Sequence, residues 1–376
     1  MILTSSGGSD GEPILKVYGS VDRCAPEHFG EMYGTVRLRP TVQIQECPLG
    51  RPSRTSIFER LDTQIAELWQ RMGGLPNPDE ASGIWTGIWY EEAHHSTAIE
   101  GNTLVMKQVE ALLADGRAVG NKELKDYMEV RGYADAARWV YGQAIDPAVR
   151  GDLVLVSLSE LREIHRTAMT PVWNVASHPQ ATEREMPGSF REHDIERFAS
   201  GMAPPPWTDV APQVDTWLER TNAIRPGTEV FPEVIAASHS RFEQIHPFLD
   251  GNGRTGRLVL NLMLVRLGYP PAIIYKHQRP QYLRALSRAD TGDHGALGEF
   301  IARAILGNLY KFVVPAVAGP ARLVPLAALE TDDLSNNALR VAAIRGRLQA
   351  TKGPDGQWRS SRNWVDEYNE SRYRRT

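Results

Sequence analysis

Cysteine is scarce in this sequence. The 376 residues include two, Cys24 and Cys47. Two cysteines exclude a disulfide framework and a four-cysteine zinc site. Long apolar runs are missing as well. The most apolar stretch, Ile301 to Ala318, is broken by Arg303, Lys311 and Pro315, so no uninterrupted run reaches the ~18 residues of a membrane span. Nor is there an excess of positive charge. Forty-two Lys/Arg stand against 46 Asp/Glu, a net of −4, which excludes a protein that coats nucleic acid along its whole length. Met1 to Pro13 lacks a basic segment followed by an apolar one, so no secretory leader is read there. What is present, 41% hydrophobic and 23% charged residues, suits a folded globular chain. The expected setting is cytoplasmic, reducing and away from membranes.

At about 100–200 residues per domain, the length predicts two or three domains. Residues 1–55 read as an irregular or weakly β segment. From Ile57 the pattern turns helical: Ile57, Leu61, Ile65 and Leu68 share a face, and Gly73-Gly74 ends it. Further helices are expected over about 81–101, 107–114, 122–143, 159–169, 210–222, 232–245, 252–267, 280–289 and 294–312. The fold class is therefore mainly α, with residues 56–318 as the principal domain. Met186 to Pro206, with Pro187-Gly188, Gly201 and Pro204-Pro205-Pro206, cannot continue a helix. It is expected to form an extended loop or small β-hairpin. Residues 321–376 shift in composition, with ten Lys/Arg against seven Asp/Glu, whereas the rest of the chain carries 32 against 39. A separate, mildly basic module is expected there.

The most informative stretch is His246-Pro247-Phe248-Leu249-Asp250-Gly251-Asn252-Gly253-Arg254-Thr255-Gly256-Arg257. It joins two helical patterns through a tight turn. Gly251, Asn252 and Gly253 tolerate left-handed backbone angles, and the following helix offers free N–H groups and the positive end of its dipole. Arg254 and Arg257, three apart, share one face. Two cations in a first turn oppose the dipole unless a multiply charged anion, such as a polyphosphate, fills the space. Asp250 beside that nest fits a Mg²⁺ ion bridged to phosphate oxygens. His246 stands where a general base is useful. Taken singly, each of these residues is as well explained by turn or helix-end structure. Other motifs fit poorly. Gly251-x-Gly253-x-x-Gly256 follows a helical pattern rather than a strand and has no acidic residue about 20 positions on. The Gly-Lys-Ser/Thr of a P-loop is absent. An EF-hand loop starting at Asp250 would need glutamate where Asn261 stands.

The twelve residues resemble the signature of Fic-domain proteins (the Fido family), His-x-Phe-x-Asp/Glu-Gly-Asn-Gly-Arg-x-x-Arg, at every defining position. The resemblance extends over roughly Ile84 to Leu309, with Pro187-Gly188-Ser189-Phe190-Arg191 upstream and Tyr282-Leu283-Arg284-Ala285-Leu286 downstream. It implies a helical Fic-type bundle and AMP transfer from ATP to a Ser, Thr or Tyr hydroxyl of a target protein, the chain itself included. By it, His246 is the base and Asp250 holds Mg²⁺. Gly251, Asn252 and Gly253 cradle the phosphates, Arg254 and Arg257 reach the β- and γ-phosphates, Phe248 anchors the loop and Tyr282 lines the adenine pocket. Residues 195–206 would be a flap that aligns the target as an added strand. Transfer of UMP, phosphocholine or phosphate, removal of AMP, and a DNA-binding regulator with a nucleotide sensor are the alternatives. A homodimer is common among relatives.

Ser96-Thr97-Ala98-Ile99-Glu100-Gly101-Asn102 is, alone, a glutamate before a helix-ending glycine. Beside a Fic motif it resembles the family's inhibitory motif, Ser/Thr-x-x-x-Glu-Gly/Asn, placed N-terminal to the catalytic loop. The resemblance implies that Glu100 pairs with Arg257 and competes with the γ-phosphate, with Ser96 fixing its orientation. A closed-to-open ratio of 99:1 needs only about 2.7 kcal/mol.

Residues 323–375 read as helix, turn, helix, hairpin, helix, similar to a winged helix-turn-helix of the excisionase type. Leu326, Leu329, Leu339, Val341, Ala342 and Ile344 are its expected core. Arg340, Arg345, Arg347, Lys352, Arg359 and Arg362 form a candidate DNA-facing surface.

Overall fold

The chain folds as a stack of helices around one central helix that is buried on all sides. The computed structural model describes residues 52–78, 81–143, 154–198, 201–227, 230–319, 321–353 and 355–373, all within one unit, Arg51–Thr376. The expectation of an irregular segment over 1–55 lies outside the described residues up to Arg51. Its last residues are already helical, because Ser53 caps α1 (Arg54–Met72) through a 3.1 Å bond from Ser56 N–H. Ile57, Leu61, Ile65 and Leu68 are buried along one face of α1. Gly73 ends it with φ 81°, and Gly74 N–H closes back on Leu68 O, as a left-handed cap requires.

There follow α2 (Ser82–Ile99), α3 (Met106–Asp115), α4 (Leu124–Tyr141), α5 (Leu158–Trp173), α6 (Val210–Asn222), α7 (Phe231–Ile245), α8 (Asn252–Arg266), α9 (Arg279–Ala289) and α10 (Gly295–Asn308). Each expected helix of the principal domain is present within a few residues. α5 runs on to Trp173, past the expected end at 169, with Pro171 inside it. Every residue of α8 from Arg254 to Arg266 is buried, the mark of a core helix rather than a surface one. α2, α4, α5 and α7 pack around it. Two of its polar side chains tie it to neighbouring segments. Asn261 bonds Glu92 Oε1 at 2.6 Å and receives Ala272 N–H at 2.7 Å. Arg266 bonds Leu155 O and Glu160.

α10 continues through a wider turn, Leu309–Val313, into α11 (Val314–Val317), with Pro315 tolerated in the first turn of α11. The combined run Gly295–Val317 has mean hydropathy 1.4 and the length to cross a membrane, more than the interrupted sequence pattern suggested. Here it serves as a core helix. Ile301, Ala302, Ile305 and Leu309 are buried, and α10 packs on α1, α7 and α9.

Among the described residues, the segment 186–206 forms no strand. This corrects the expected β-hairpin flap. Phe198 N–H bonds Met202 O at 2.9 Å, which folds the segment back on itself, but Pro204, Pro205 and Pro206 lack the N–H groups a ladder needs. Among the described residues the three strands lie within 321–376: β1 (Val324–Pro325), β2 (Thr351–Lys352) and β3 (Trp358–Ser360), in the antiparallel order β1-β3-β2. The same region holds α12 (Asn336–Ile344) and α13 (Arg362–Tyr373). Its expected first helix is only a single 3₁₀ turn, Leu326–Leu329. Leu326, Leu329, Leu339 and Ala342 are buried as expected, but Val341 and Ile344 are exposed. They lie on the outer face of α12, away from the Leu339–Ala342 stripe.

Candidate active site

The loop 246–251 is bent by two left-handed residues. Gly251 has φ 77°, and His246 has φ 49°, the single non-glycine residue with positive φ among those described. A side chain held there is strained, and such strain collects at functional sites. The loop is fixed from within. Asn252 donates to Phe248 O at 2.7 Å and accepts from Phe248 N–H at 2.9 Å. Phe248 itself is fully buried. The Asn252 side chain is thus spent on the loop, and only its backbone is left for a ligand.

Two residues not assigned a role from the sequence hold the loop from outside. His165 stacks on Phe248, ring centroids 3.7 Å apart and 5° from parallel. Its Nδ1 accepts Gly188 N–H at 2.7 Å, so its Nε2 carries the proton and donates to Asp250 O at 2.9 Å. Burial lowers its pKa to about 4, which keeps this neutral tautomer. Arg191, 1% exposed, donates to His246 O at 2.9 Å, His193 O at 3.0 Å and Pro205 O at 2.6 Å. Its own N–H reaches Pro247 O at 2.9 Å. One guanidinium thereby joins the catalytic loop to the segment 186–206. The signal for Arg191 was its place in Pro-Gly-Ser-Phe-Arg. A lone histidine such as His165 carried none.

The His246 ring is neutral with one nitrogen engaged. Its Nδ1 lies 3.2 Å from Glu243 O, an acceptor, so Nδ1 holds the proton and Nε2 is free. Burial pushes its pKa down to about 4, so the ring is neutral near pH 7. Phe198 meets the ring edge-on at 5.0 Å.

The two arginines of α8 face the loop, as their spacing predicted, and both are buried. Arg254 Nη2 bonds Asp250 at 3.2 and 3.3 Å, and its Nη1 lies 3.6 Å from Glu129. Its Nε and Nη1 nevertheless have no hydrogen-bond partner. Orphaned guanidinium donors beside a helix start that has no side-chain cap are what an anion would satisfy. Arg257 is fully engaged. Nε donates to Ser96 Oγ at 2.6 Å, and Nη2 donates to Ser96 O at 3.0 Å and Glu100 Oε1 at 2.8 Å. Burial of Glu100 would raise its pKa, but Arg257 outweighs it and the carboxyl is lowered. Gly253 is needed here, since a Cβ on it would stand 2.6 Å from Glu100 Oε1. The carboxylate of Glu100 thus lies over the glycine turn. Arg279 Nε holds Ile99 O at 2.7 Å, and Glu92, further back on α2, accepts from Tyr133, Tyr141 and Asn261. These contacts seat α2.

Tyr282 departs from expectation. It is 2% exposed, and its hydroxyl lies on His239 Nε2 at 2.7 Å. It belongs to a polar cluster behind Arg257 rather than to the wall of an open pocket. A cavity of about 560 Å³ is lined by Met202, Ala203, Pro205, Gln244, Ser287 and Asp290. No group of three or more His, Cys, Asp or Glu able to hold a metal alone occurs among the described residues. Asp250 is one carboxylate, 47% exposed, which fits an ion that takes its remaining ligands from phosphate and water.

Residues 155–264 match the family model described as the Fic/DOC family. Over that segment the chain is similar to Fic domains. The match spans α5 to α8, the flap and the whole catalytic loop. The chain is also similar to curated proteins named protein adenylyltransferase Fic. The one from Drosophila mojavensis is 30% identical over 249 residues, 65% of this chain and 45% of that protein. The one from Drosophila willistoni is 29% identical over 297 residues, 76% of this chain and 55% of that protein. The chain spans about half the length of the curated relatives it matches. Among solved structures, Fic-1 from C. elegans is 25% identical with a TM-score of 0.55, covering 68% of this chain and 71% of that one. A Fic domain containing signaling protein from Bacteroides thetaiotaomicron, 23% identical, covers 67% of this chain and 95% of that one with a TM-score of 0.52, a likeness of fold.

Proposed function

We propose that this protein transfers AMP from ATP to a hydroxyl side chain of a protein, and that Glu100 restrains it. The observation that carries the reading is the neutral His246, its Nε2 free, beside a loop with two buried arginines and an uncapped helix start. The relatives named protein adenylyltransferase support it. In the proposed step, His246 Nε2 takes the proton of the hydroxyl. The oxygen then bonds the α-phosphorus, and the bond to the β,γ-diphosphate breaks. The first-turn N–H groups of α8, Arg254 and Arg257 receive the phosphates. Asp250 would hold Mg²⁺, which neutralises phosphate charge when bound. The cavity between flap and α9 would take the base, and the flap would align the target.

In the arrangement seen here, Glu100 occupies Arg257. A γ-phosphate needs that guanidinium, so ATP enters only with the carboxylate displaced or with its phosphates shifted. Label from α-labelled ATP, and none from γ-labelled ATP, appearing on protein in Glu100→Gly supports this reading. Label from the γ-position alone would replace it with phosphate transfer.

The C-terminal module supports a second reading, docking on duplex DNA. Arg340, Arg345, Arg347 and Lys352 are exposed, beside the exposed Val341 and Ile344. Arg359 leaves the candidate surface, because its Nη1 is held by Glu67 of α1 at 2.7 and 2.8 Å. Binding of the full chain to duplex DNA, weakening steeply with salt, supports this reading, and no binding at low salt removes it.

A further inference from the structure

The Glu243 side chain has no part in the reading above. Its side chain is 14% exposed, and its Oε1 is out of solvent with no hydrogen-bond partner. The motif leaves positions 255 and 256 open, and this chain has glycine at 256. A Cβ there would stand 2.2 Å from Glu243 Oε1. The carboxyl therefore lies against the first turns of α8, beside the residue that precedes Arg257. The groups facing it come from four elements. Arg257 of α8 attracts its negative charge, and Glu100 at the end of α2 and Asp290 at the end of α9 repel it. His239, on its own helix, has Nε2 4.0 Å away. Tyr282 of α9 sits on His239 and interacts with both Glu243 and Arg257. Burial keeps His239 neutral, with its pKa lowered to about 3. Arg257 is the cation of this group.

Arg257 donates three hydrogen bonds to the last turns of α2, two to Ser96 and one to Glu100, and Tyr282 of α9 also bonds it. Withdrawal of the α2 segment would remove those three together. A guanidinium 3% exposed is costly to leave without a counter-charge. We propose that Glu243 is the positioning residue that takes over Arg257 when Glu100 withdraws, holding the guanidinium toward the phosphate site. This rests on the reading of Glu100 as a brake.

The exchange carries a proton. With Glu100 in place, burial first, then Glu100 and Asp290, outweigh Arg257 and raise the Glu243 carboxyl to about 7. Loss of Glu100 removes one repulsion and lowers it. The closed state then binds more protons than the open one. Acid favours closure, and opening gains as pH rises toward about 7 and levels off above it.

The test is the ratio of wild-type to Glu100→Gly labelling from α-labelled ATP, measured on the full chain from about pH 5.5 to 8. Both proteins share His246 and the chemical step, so the ratio isolates the brake. The expected ratio rises several-fold between about pH 6 and 7, by at most tenfold per unit for one proton, and is flat above. In Glu243→Gln the rise is lost. In Glu100→Gly, adding Glu243→Gln raises KM for ATP about tenfold with a smaller change in kcat. A flat wild-type ratio overturns the proposal, and so does a rise that survives in Glu243→Gln. The wild-type ratio needs no folded variant at position 243. If Glu100→Gly labels no faster than wild type at any pH, the brake reading itself fails and takes this inference with it.

Discussion

Ser96 Oγ accepts a 2.6 Å hydrogen bond from Nε of Arg257, a residue 161 positions away. With the second bond to Ser96 O and the pair to Glu100, it makes the restraint a three-point clamp rather than a lone ion pair. Glu100 is 38% exposed and Arg257 4% by side chain. The Ser96 contacts are the drier part of the clamp.

Ser96→Ala should therefore loosen the clamp without removing the carboxylate. A hydrogen bond to a charged group contributes about 1.5 kcal/mol or more, so self-labelling from α-labelled ATP is expected to rise about tenfold. The rise in Glu100→Gly should be larger. Wild-type labelling in Ser96→Ala would show that Glu100 acts without its neighbour.

Arg191 joins flap to loop through carbonyls of His193, Pro205 and His246. Arg191→Ala leaves these half-buried acceptors short of donors, at about 1 kcal/mol for each. A clear fall in Tm is expected, together with loss of target labelling. Arg191→Lys should recover part of the Tm but little labelling, because one ammonium cannot span the same acceptors. Full activity in Arg191→Lys would separate the flap from the loop.

The acid limb of the reaction should be displaced. His246 is lowered by burial to about 4. A lowered folded-state value means the neutral base persists below the usual 6.5 and is lost only as pH falls through about 4. In Glu100→Gly, where the brake adds no pH dependence of its own, labelling at pH 5.5 should remain near its pH 7 rate. A midpoint near 6.5 would mean that the ring titrates as an exposed histidine.

Much of this site was legible because its residues are local. Twelve consecutive positions set the turn, the dipole and both arginines, and α2 ended where glycine predicted. What was hidden depends on distance in the chain. Arg191 and His165 act on backbone carbonyls that no side-chain pattern announces. Tyr282 was placed on a pocket wall, whereas its hydroxyl points to His239. The segment 186–206 read as an extended loop or a hairpin, and its described residues take the loop, since three prolines remove donors a ladder needs. In the C-terminal module, Val341 and Ile344 share a helix with the core residues Leu339 and Ala342, and only the sheet's position shows which face is covered.

Arg359 was read as surface charge and instead bridges Glu67 on α1 and Asp355. At 11% exposure for both Arg359 and Glu67, the pair lies between surface and buried limits, so Arg359→Ala should cost about 1–3 kcal/mol. Thermal unfolding should show that loss, and Glu67→Arg combined with Arg359→Glu should restore part of it. An unchanged Tm in Arg359→Ala would show that the contact contributes nothing to stability.

The central claim is that His246 and the α8 socket transfer AMP and that Glu100 holds them back. Intact-protein mass spectrometry after incubation with ATP and Mg²⁺ tests it most directly. Glu100→Gly should gain the mass of AMP, wild type far less, and Glu100→Gly with His246→Ala none. An unmodified Glu100→Gly protein, or equal modification with and without His246, would contradict the account.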